Sequence, residues 1–167
     1  MNLNEEQIRI LGYFREGFNT MAEIVDMTGW PAEKANSIIE FLDMNGLIKR
    51  ADLAGSGFWY FNITKKGEDL LPPLTPEEQR IHDLGLGISL EDVKALKILH
   101  KSTEGNIHNK VIMTELIVEN VSERDEQMKM VGSFMKLSRK GYIKESGFFK
   151  RAISLTDEGL RLIGKVG

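Results

Sequence analysis

The sequence predicts a mainly helical α+β fold assembled from two copies of one small unit, each a set of short helices followed by a two-stranded hairpin and a closing helix. Three observations predict it. The first is a stretch that occurs twice, LDMNGLIKRADLAGSGFWYFNITKKGEDL from Leu42 to Leu70 and LSRKGYIKESGFFKRAISLTDEGLRL from Leu137 to Leu162. Gly46 matches Gly141 at an offset of 95, whereas Thr64 and Gly67 match Thr156 and Gly159 at an offset of 92. The second copy is therefore shorter only across its turn-rich middle, where length changes are tolerated. The second observation is upstream: Ile8, Leu11 and Phe14 match Val93, Leu96 and Leu99 at a common offset of 85. The third is size. A chain of 167 residues stands at the border between one domain and two, and units of about 80 residues each bury a modest core.

The elements follow in order. Asn4-Glu5-Glu6-Gln7 reads as a capping box opening an amphipathic helix over residues 5–16 that ends near Gly17. Thr20-Met21-Ala22-Glu23 is a second box, and its short helix stops at Thr28-Gly29, where glycine accepts a left-handed C-cap. Pro31 starts a third helix that runs to Met44, with Ala35, Ile38, Ile39 and Leu42 inward. A hairpin then pairs residues 47–50 with residues 58–63 through Gly55-Ser56-Gly57, with Trp59, Phe61 and Ile63 on one face and Phe58 and Tyr60 on the other. Thr64 caps a fourth helix carrying Leu70 and Leu71.

Leu71-Pro72-Pro73-Leu74 marks a boundary, and Thr75-Pro76-Glu77-Glu78 opens a linker helix over residues 76–84. The predicted domains are 1–71 and 89–167, with 72–88 between them. In the second domain Ser89 caps the first helix, a helix follows around residues 110–119, and Ser122 caps a long third helix from Glu123 to Lys140. A tight turn at Ser146-Gly147 joins strands over residues 142–145 and 148–155, and Thr156 caps the closing helix.

Three short helices with glycine at the second turn, then a hairpin, is the layout of a winged helix-turn-helix domain. The segment TMAEIVDMTGWPAEKANSIIEFLDMNGLIKR resembles the helix-turn-helix of winged-helix DNA-binding regulators of the MarR-like type. The resemblance rests on the Thr28-Gly29 turn, on Ile24, Ile38 and Leu42, and on Gly46-Leu47-Ile48 at the start of the wing. Pro31 stands where family members commonly have a hydroxyl residue, and the second unit replaces the Thr-Gly turn with Glu119-Asn120-Val121. The resemblance implies two winged helix-turn-helix domains in tandem and, by extension, DNA binding. It says little about the ligand, because winged helices bind DNA, RNA and proteins alike.

Composition narrows the function classes. There are no cysteines, which removes disulfides, thiolate chemistry and the commonest zinc ligand. His82, His100 and His108 are scattered without neighbouring acids at ligand spacing, so structural histidines are expected, with no metal and no cofactor. No nucleophile elbow, Walker loop or spaced carboxylate pair is present, and Gly85-Leu86-Gly87 lacks the strand and glycines of a phosphate loop. A non-enzymatic role is expected. No apolar run is long enough to span a membrane and no leader is evident at Met1, so a cytoplasmic location is expected.

Charge is where the two copies part. Residues 1–88 carry 8 basic and 14 acidic side chains, net −6, and residues 89–167 carry 14 and 11, net +3. Such asymmetry speaks about partners rather than fold. At 100° per residue the outward face of the first unit's third helix carries Glu33, Asn36, Glu40 and Asp43, which would repel phosphates. The equivalent helix of the second unit carries Lys129, Gly132, Lys136 and Arg139 opposite Met130, Phe134 and Leu137. Lys140 at its end and Lys144, Lys150 and Arg151 on the hairpin extend this basic stripe. Three readings of it stand: phosphate contact, an acidic protein partner, or a solvated helix face whose C-terminal cations answer the helix dipole. The acidic first turn (Glu123, Asp125, Glu126) opposes insertion into a groove.

The expectation is a DNA-binding protein, a transcriptional regulator, with the second unit contacting nucleic acid. The first unit would meet a protein partner or a second copy through Glu33, Glu40, Asp43, Phe58 and Tyr60. The alternative is a non-catalytic assembly module of paired winged helices, of the chromosome-segregation, sorting-complex or general-transcription-factor kind. Similar repeats also precede the catalytic core of the phenylalanyl-tRNA synthetase alpha subunit, a core this sequence does not contain.

Overall fold

A computed structural model describes residues 1–52, 55 and 58–167, so Ser56 and Gly57 of the expected first turn lie outside the described residues. It is mainly helical with two small antiparallel sheets, and it divides into two compact units, Met1–Gly87 and Ile88–Gly167. Residues 72–87 thus belong to the first unit.

In the first unit, α1 (Glu5–Arg15) is opened by the Asn4/Gln7 box, and α2 (Met21–Thr28) by the Thr20/Glu23 box. Gly29 closes α2 in the left-handed conformation, at φ 68°. Helix α3 (Ala32–Met44) packs on both. Strands β1 (Ile48–Asp52) and β2 (Trp59–Ile63) pair in antiparallel register, Ile48 opposite Ile63. The free edge of β2 meets the segment before α2: the Phe61 amide donates to Asn19 O at 2.8 Å, and Thr20 bridges Tyr60. A single turn, α4 (Lys65–Glu68), and the capped helix α5 (Pro76–His82) complete the unit. Ile10, Leu11, Phe14, Ile24, Ile39 and Leu42 form its core.

The second unit repeats the order. It comprises α6 (Leu90–Ser102), β3 (Val111–Ile112), α7 (Met113–Asn120), α8 (Arg124–Arg139), β4 (Ile143–Ser146), β5 (Ala152–Leu155) and α9 (Asp157–Val166). The sheet has the order β3-β5-β4, with Ile143 opposite Leu155 and Val111 opposite Ile153. The short strand ahead of α7 therefore plays the part that Asn19–Thr20 plays in the first unit. Leu96, Leu99, Phe134, Leu137 and Ile153 are fully buried between the helices and this sheet.

The repeated motif has one physical explanation in both units. The Thr64 hydroxyl donates to Gly46 O at 2.7 Å and accepts from the Gly67 amide at 3.2 Å. The Thr156 hydroxyl donates to Gly141 O at 2.6 Å and accepts from the Gly159 amide at 3.1 Å. Each threonine so bolts the turn before the hairpin to the helix after it. The glycines are required by proximity. A Cβ at Gly67 would run into the Leu47 carbonyl oxygen, and one at Gly159 into that of Tyr142.

Several expectations are corrected. Ser122 does not cap α8; Glu123 holds that position without a side-chain hydrogen bond. Ile8 is exposed whereas its counterpart Val93 is buried, for α4 lays one turn on α1 where the ten-residue α9 packs on α6. Trp59 is half exposed although it shares a strand face with buried Phe61, because it lies at the strand end beyond the core. The second hairpin turn is not a tight one at Ser146-Gly147. Ser146 pairs with Ala152, so residues 147–151 all belong to the loop.

Gly159→Ala is expected to lower the stability of the second unit by about 1–3 kcal/mol through forced backbone displacement. Gly164→Ala in the same helix meets open space and is expected to be neutral or stabilising by up to about 1 kcal/mol. Urea unfolding followed by circular dichroism measures both. Equal midpoints for the two variants would contradict the packing argument.

Candidate nucleic-acid interface

The basic side chains expected to act together do not share one surface. Lys136 is buried, 1 % exposed, and its Nζ lies 2.6 Å from Oδ2 of Asp92, itself fully buried. That carboxylate oxygen also accepts from the Ser89 amide at 2.7 Å, so one atom caps α6 and holds the lysine. Gly132 is buried as well. The expectation that Lys136 and Gly132 meet phosphates is therefore wrong. The physical reason lies in the width of the buried arc. Met130, Gly132, Ser133, Phe134, Lys136 and Leu137 are all buried, an arc of roughly 200° at 100° per residue, and α6 packs along this helix. A helix covered on more than half its circumference has no face opposite its core at Lys136.

The remaining cations are at the surface. Lys129 is exposed and lies 3.6 Å from Glu126 one turn earlier. Arg139 and Lys140 are exposed at the end of α8, where the carbonyl ends of the helix favour positive charge. Lys144 is exposed on β4. Lys150 and Arg151 are exposed in the hairpin loop. Lys150 Nζ is 3.5 Å from Glu115 Oε1, but both side chains are largely solvated, so the pair contributes at most about 1 kcal/mol and yields readily. The backbone of Arg151 is fixed, its carbonyl accepting from the Met113 amide at 2.9 Å.

No protein-family model matches the sequence, and the search of curated proteins finds no match either.

On the first unit Glu33 and Glu40 are exposed on α3, with Asn36 Nδ2 donating to Glu40 Oε1 at 2.9 Å. Lys34, between them, turns to Glu6 on α1. Asp43 is drawn to Arg50 at 3.4 Å and is half buried. Tyr60 is half buried, while Phe58 is 76 % exposed. The Arg50 guanidinium also stands over the Trp59 ring at 5.5 Å. The expected protein-facing residues thus divide: Glu33, Glu40 and Phe58 face solvent, and Asp43 and Tyr60 serve local contacts. Sequence reasoning missed Met44, 87 % exposed at the end of α3. Its position, two residues from buried Leu42 and so on the opposite side, was the available signal.

A groove of about 490 Å³ in this unit lies among Arg15, Lys65, Asp69, Pro72, Gln79 and His82. Its cations are engaged. Lys65 lies 2.8 Å from Asp69, which raises its pKa through a hydrogen bond and through charge, and Arg15 Nη1 donates to Pro72 O at 2.6 Å. Among the described residues no group of three or more His, Asp or Glu is placed to hold a metal ion, and no helix is long and apolar enough to cross a membrane.

Removing one partner of a buried ion pair leaves the other charge uncompensated, which typically costs about 3–5 kcal/mol. Lys136→Ala is expected to destabilise the second unit on that scale, against about 0.5 kcal/mol or less for exposed Lys140→Ala. Denaturant titration of the two variants provides the comparison. Similar stabilities would place Lys136 in solvent.

Proposed function

We propose that the chain is a tandem winged helix-turn-helix protein that binds DNA in a regulatory role, led by its second unit. The observation that carries the reading is the set of exposed cations from Lys140 through Lys144 to Lys150 and Arg151, on the β4–β5 hairpin and the helix end that feeds it. The helix–strand–helix–helix–hairpin order and the β3-β5-β4 sheet support the winged-helix assignment. Lys129 and Arg139 add charge along α8. Lys136 and Gly132 take no part. The acidic first turn of α8, with Asp125 and Glu126, disfavours entry of that helix into a groove, so phosphate contact falls to the hairpin.

The first unit, net −6, is assigned a protein-facing role. Exposed Met44 and Phe58 and the exposed carboxylates of Glu33 and Glu40 favour it, and they also support the second reading, an assembly module without nucleic acid.

A labelled DNA titration at about 50 and 200 mM salt tests the proposal, since each phosphate contact contributes roughly 0.7–0.9 to the slope of log affinity against log salt. The triple variant Lys144→Ala, Lys150→Ala, Arg151→Ala is expected to lose affinity and roughly 2 units or more of that slope. Absence of binding to single-stranded and duplex DNA at the lower salt would overturn the reading. A stoichiometric protein recovered with the chain would then favour assembly.

A further inference from the structure

The hairpin tip carries a feature that phosphate contact does not use. Phe148 and Phe149 stand fully in solvent, at 103 % and 101 % relative exposure, the largest values of any exposed large apolar side chain described. Their loop is anchored rather than loose. Ser146 pairs with Ala152 across its base, and the Arg151 carbonyl is bonded to the Met113 amide. Gly147 sits at φ 103°, where a Cβ would strike the Lys150 carbonyl oxygen, so the tip depends on glycine there. Two adjacent aromatic rings are thus presented on a built turn, with exposed Lys150 and Arg151 next to them in the loop and exposed Lys144 on the strand that leads into it.

We infer that the Phe148–Phe149 tip is a stacking platform for unpaired nucleobases, with Lys144, Lys150 and Arg151 taking the neighbouring phosphates. The inference rests on the DNA-binding reading of the second unit and specifies its ligand as a single-stranded segment. Every base has a π-face, so aromatic side chains beside a cationic track bind single strands without reading sequence. Duplex bases are already stacked, and parting them has a cost that an unpaired strand avoids. Duplex readout would also need α8 in the major groove, and that helix has an acidic first turn and its central lysine bound internally. A membrane surface fits less well, because binding there scales with the apolar area buried, and two rings on one five-residue loop supply little of it.

Fluorescence anisotropy of the full chain with an oligothymidylate of about twenty nucleotides and with a duplex of equal length tests this. Wild type is expected to prefer the single strand. Phe148→Ala and Phe149→Ala are each expected to weaken that binding roughly 5- to 100-fold, while unfolding at the wild-type urea concentration because both side chains are exposed. The double variant Phe148→Leu, Phe149→Leu keeps apolar bulk without a π-face and is expected to stay weak. Unchanged single-strand affinity in the alanine variants, alongside loss in the Lys144/Lys150/Arg151 variant, would overturn stacking while leaving DNA binding intact. Rescue by leucine would also overturn it, in favour of plain apolar contact. No binding of either oligonucleotide by wild type, with phenylalanine-dependent binding to phosphatidylserine vesicles, would overturn both readings.

Discussion

Each unit hangs on a threonine hydroxyl that donates to the carbonyl of the turn before the hairpin and accepts from the amide three residues ahead in the closing helix. A hairpin has no intrinsic reason to lie at one angle to the helices that flank it. Here its two ends are tied together: the Thr64 amide bonds Leu47 O at 3.0 Å and the Thr156 amide bonds Tyr142 O at 3.2 Å, one residue beyond the carbonyls that the hydroxyls hold. The Leu47 and Tyr142 carbonyls lie against Gly67 and Gly159, and each receives its donor from the threonine amide. The close approach demands glycine at the third position of the helix. Thr-x-x-Gly is therefore a statement about distance, and it survives in both copies while the loop between them changes length.

This division explains what could be read from the sequence. The capping boxes at Asn4, Thr20, Thr75 and Ser89 are present in the structure because each is settled within four residues, by one hydroxyl or amide and one acid or glutamine. The repeat placed the hairpins and closing helices for the same reason. Lys136 was misread because its setting depends on Asp92, remote in sequence, and on which sides of α8 are covered. A helical wheel assumes one buried face, and α8 has an arc wider than that. The hairpin loop was misread because a two-residue turn at Ser146-Gly147 and a five-residue loop share the same glycine. Only the pairing of Ser146 with Ala152 distinguishes them. Phe148 and Phe149 consequently moved from an expected strand, where one of them would face the sheet, to a loop where neither does.

The two units differ most where the ion pair sits. By the offsets of the repeat, Asp92 corresponds to Gln7 and Lys136 to Phe41. Gln7 closes its capping box with Asn4 at 3.0 Å and needs no further partner, and Phe41 remains partly exposed. The second unit has instead placed two opposite charges in its interior. Such a pair adds little net stability over well-packed apolar residues, since desolvation offsets the attraction, but losing its geometry is costly. Asp92 spends one oxygen on both the Ser89 amide and Lys136, so sliding α8 along α6 would strand both charges at once. The pair thus fixes the register of α8 more than it strengthens the fold.

Fixing α8 has a consequence for where binding chemistry can reside. A reading helix must present side chains to its ligand, and the central cation of α8 points inward against a carboxylate. What remains to the second unit is the set of groups beyond the end of that helix: Arg139 and Lys140, then Lys144, then the loop from Gly147 to Arg151. All of these except Gly147 bear charge or aromatic surface, and their backbone is held by β3, β4 and the bolt at Thr156. The hairpin tip thus combines side chains in solvent with a backbone anchored at its base. A flexible ligand can fold around such a tip, whereas a rigid groove would have to meet the helix behind it.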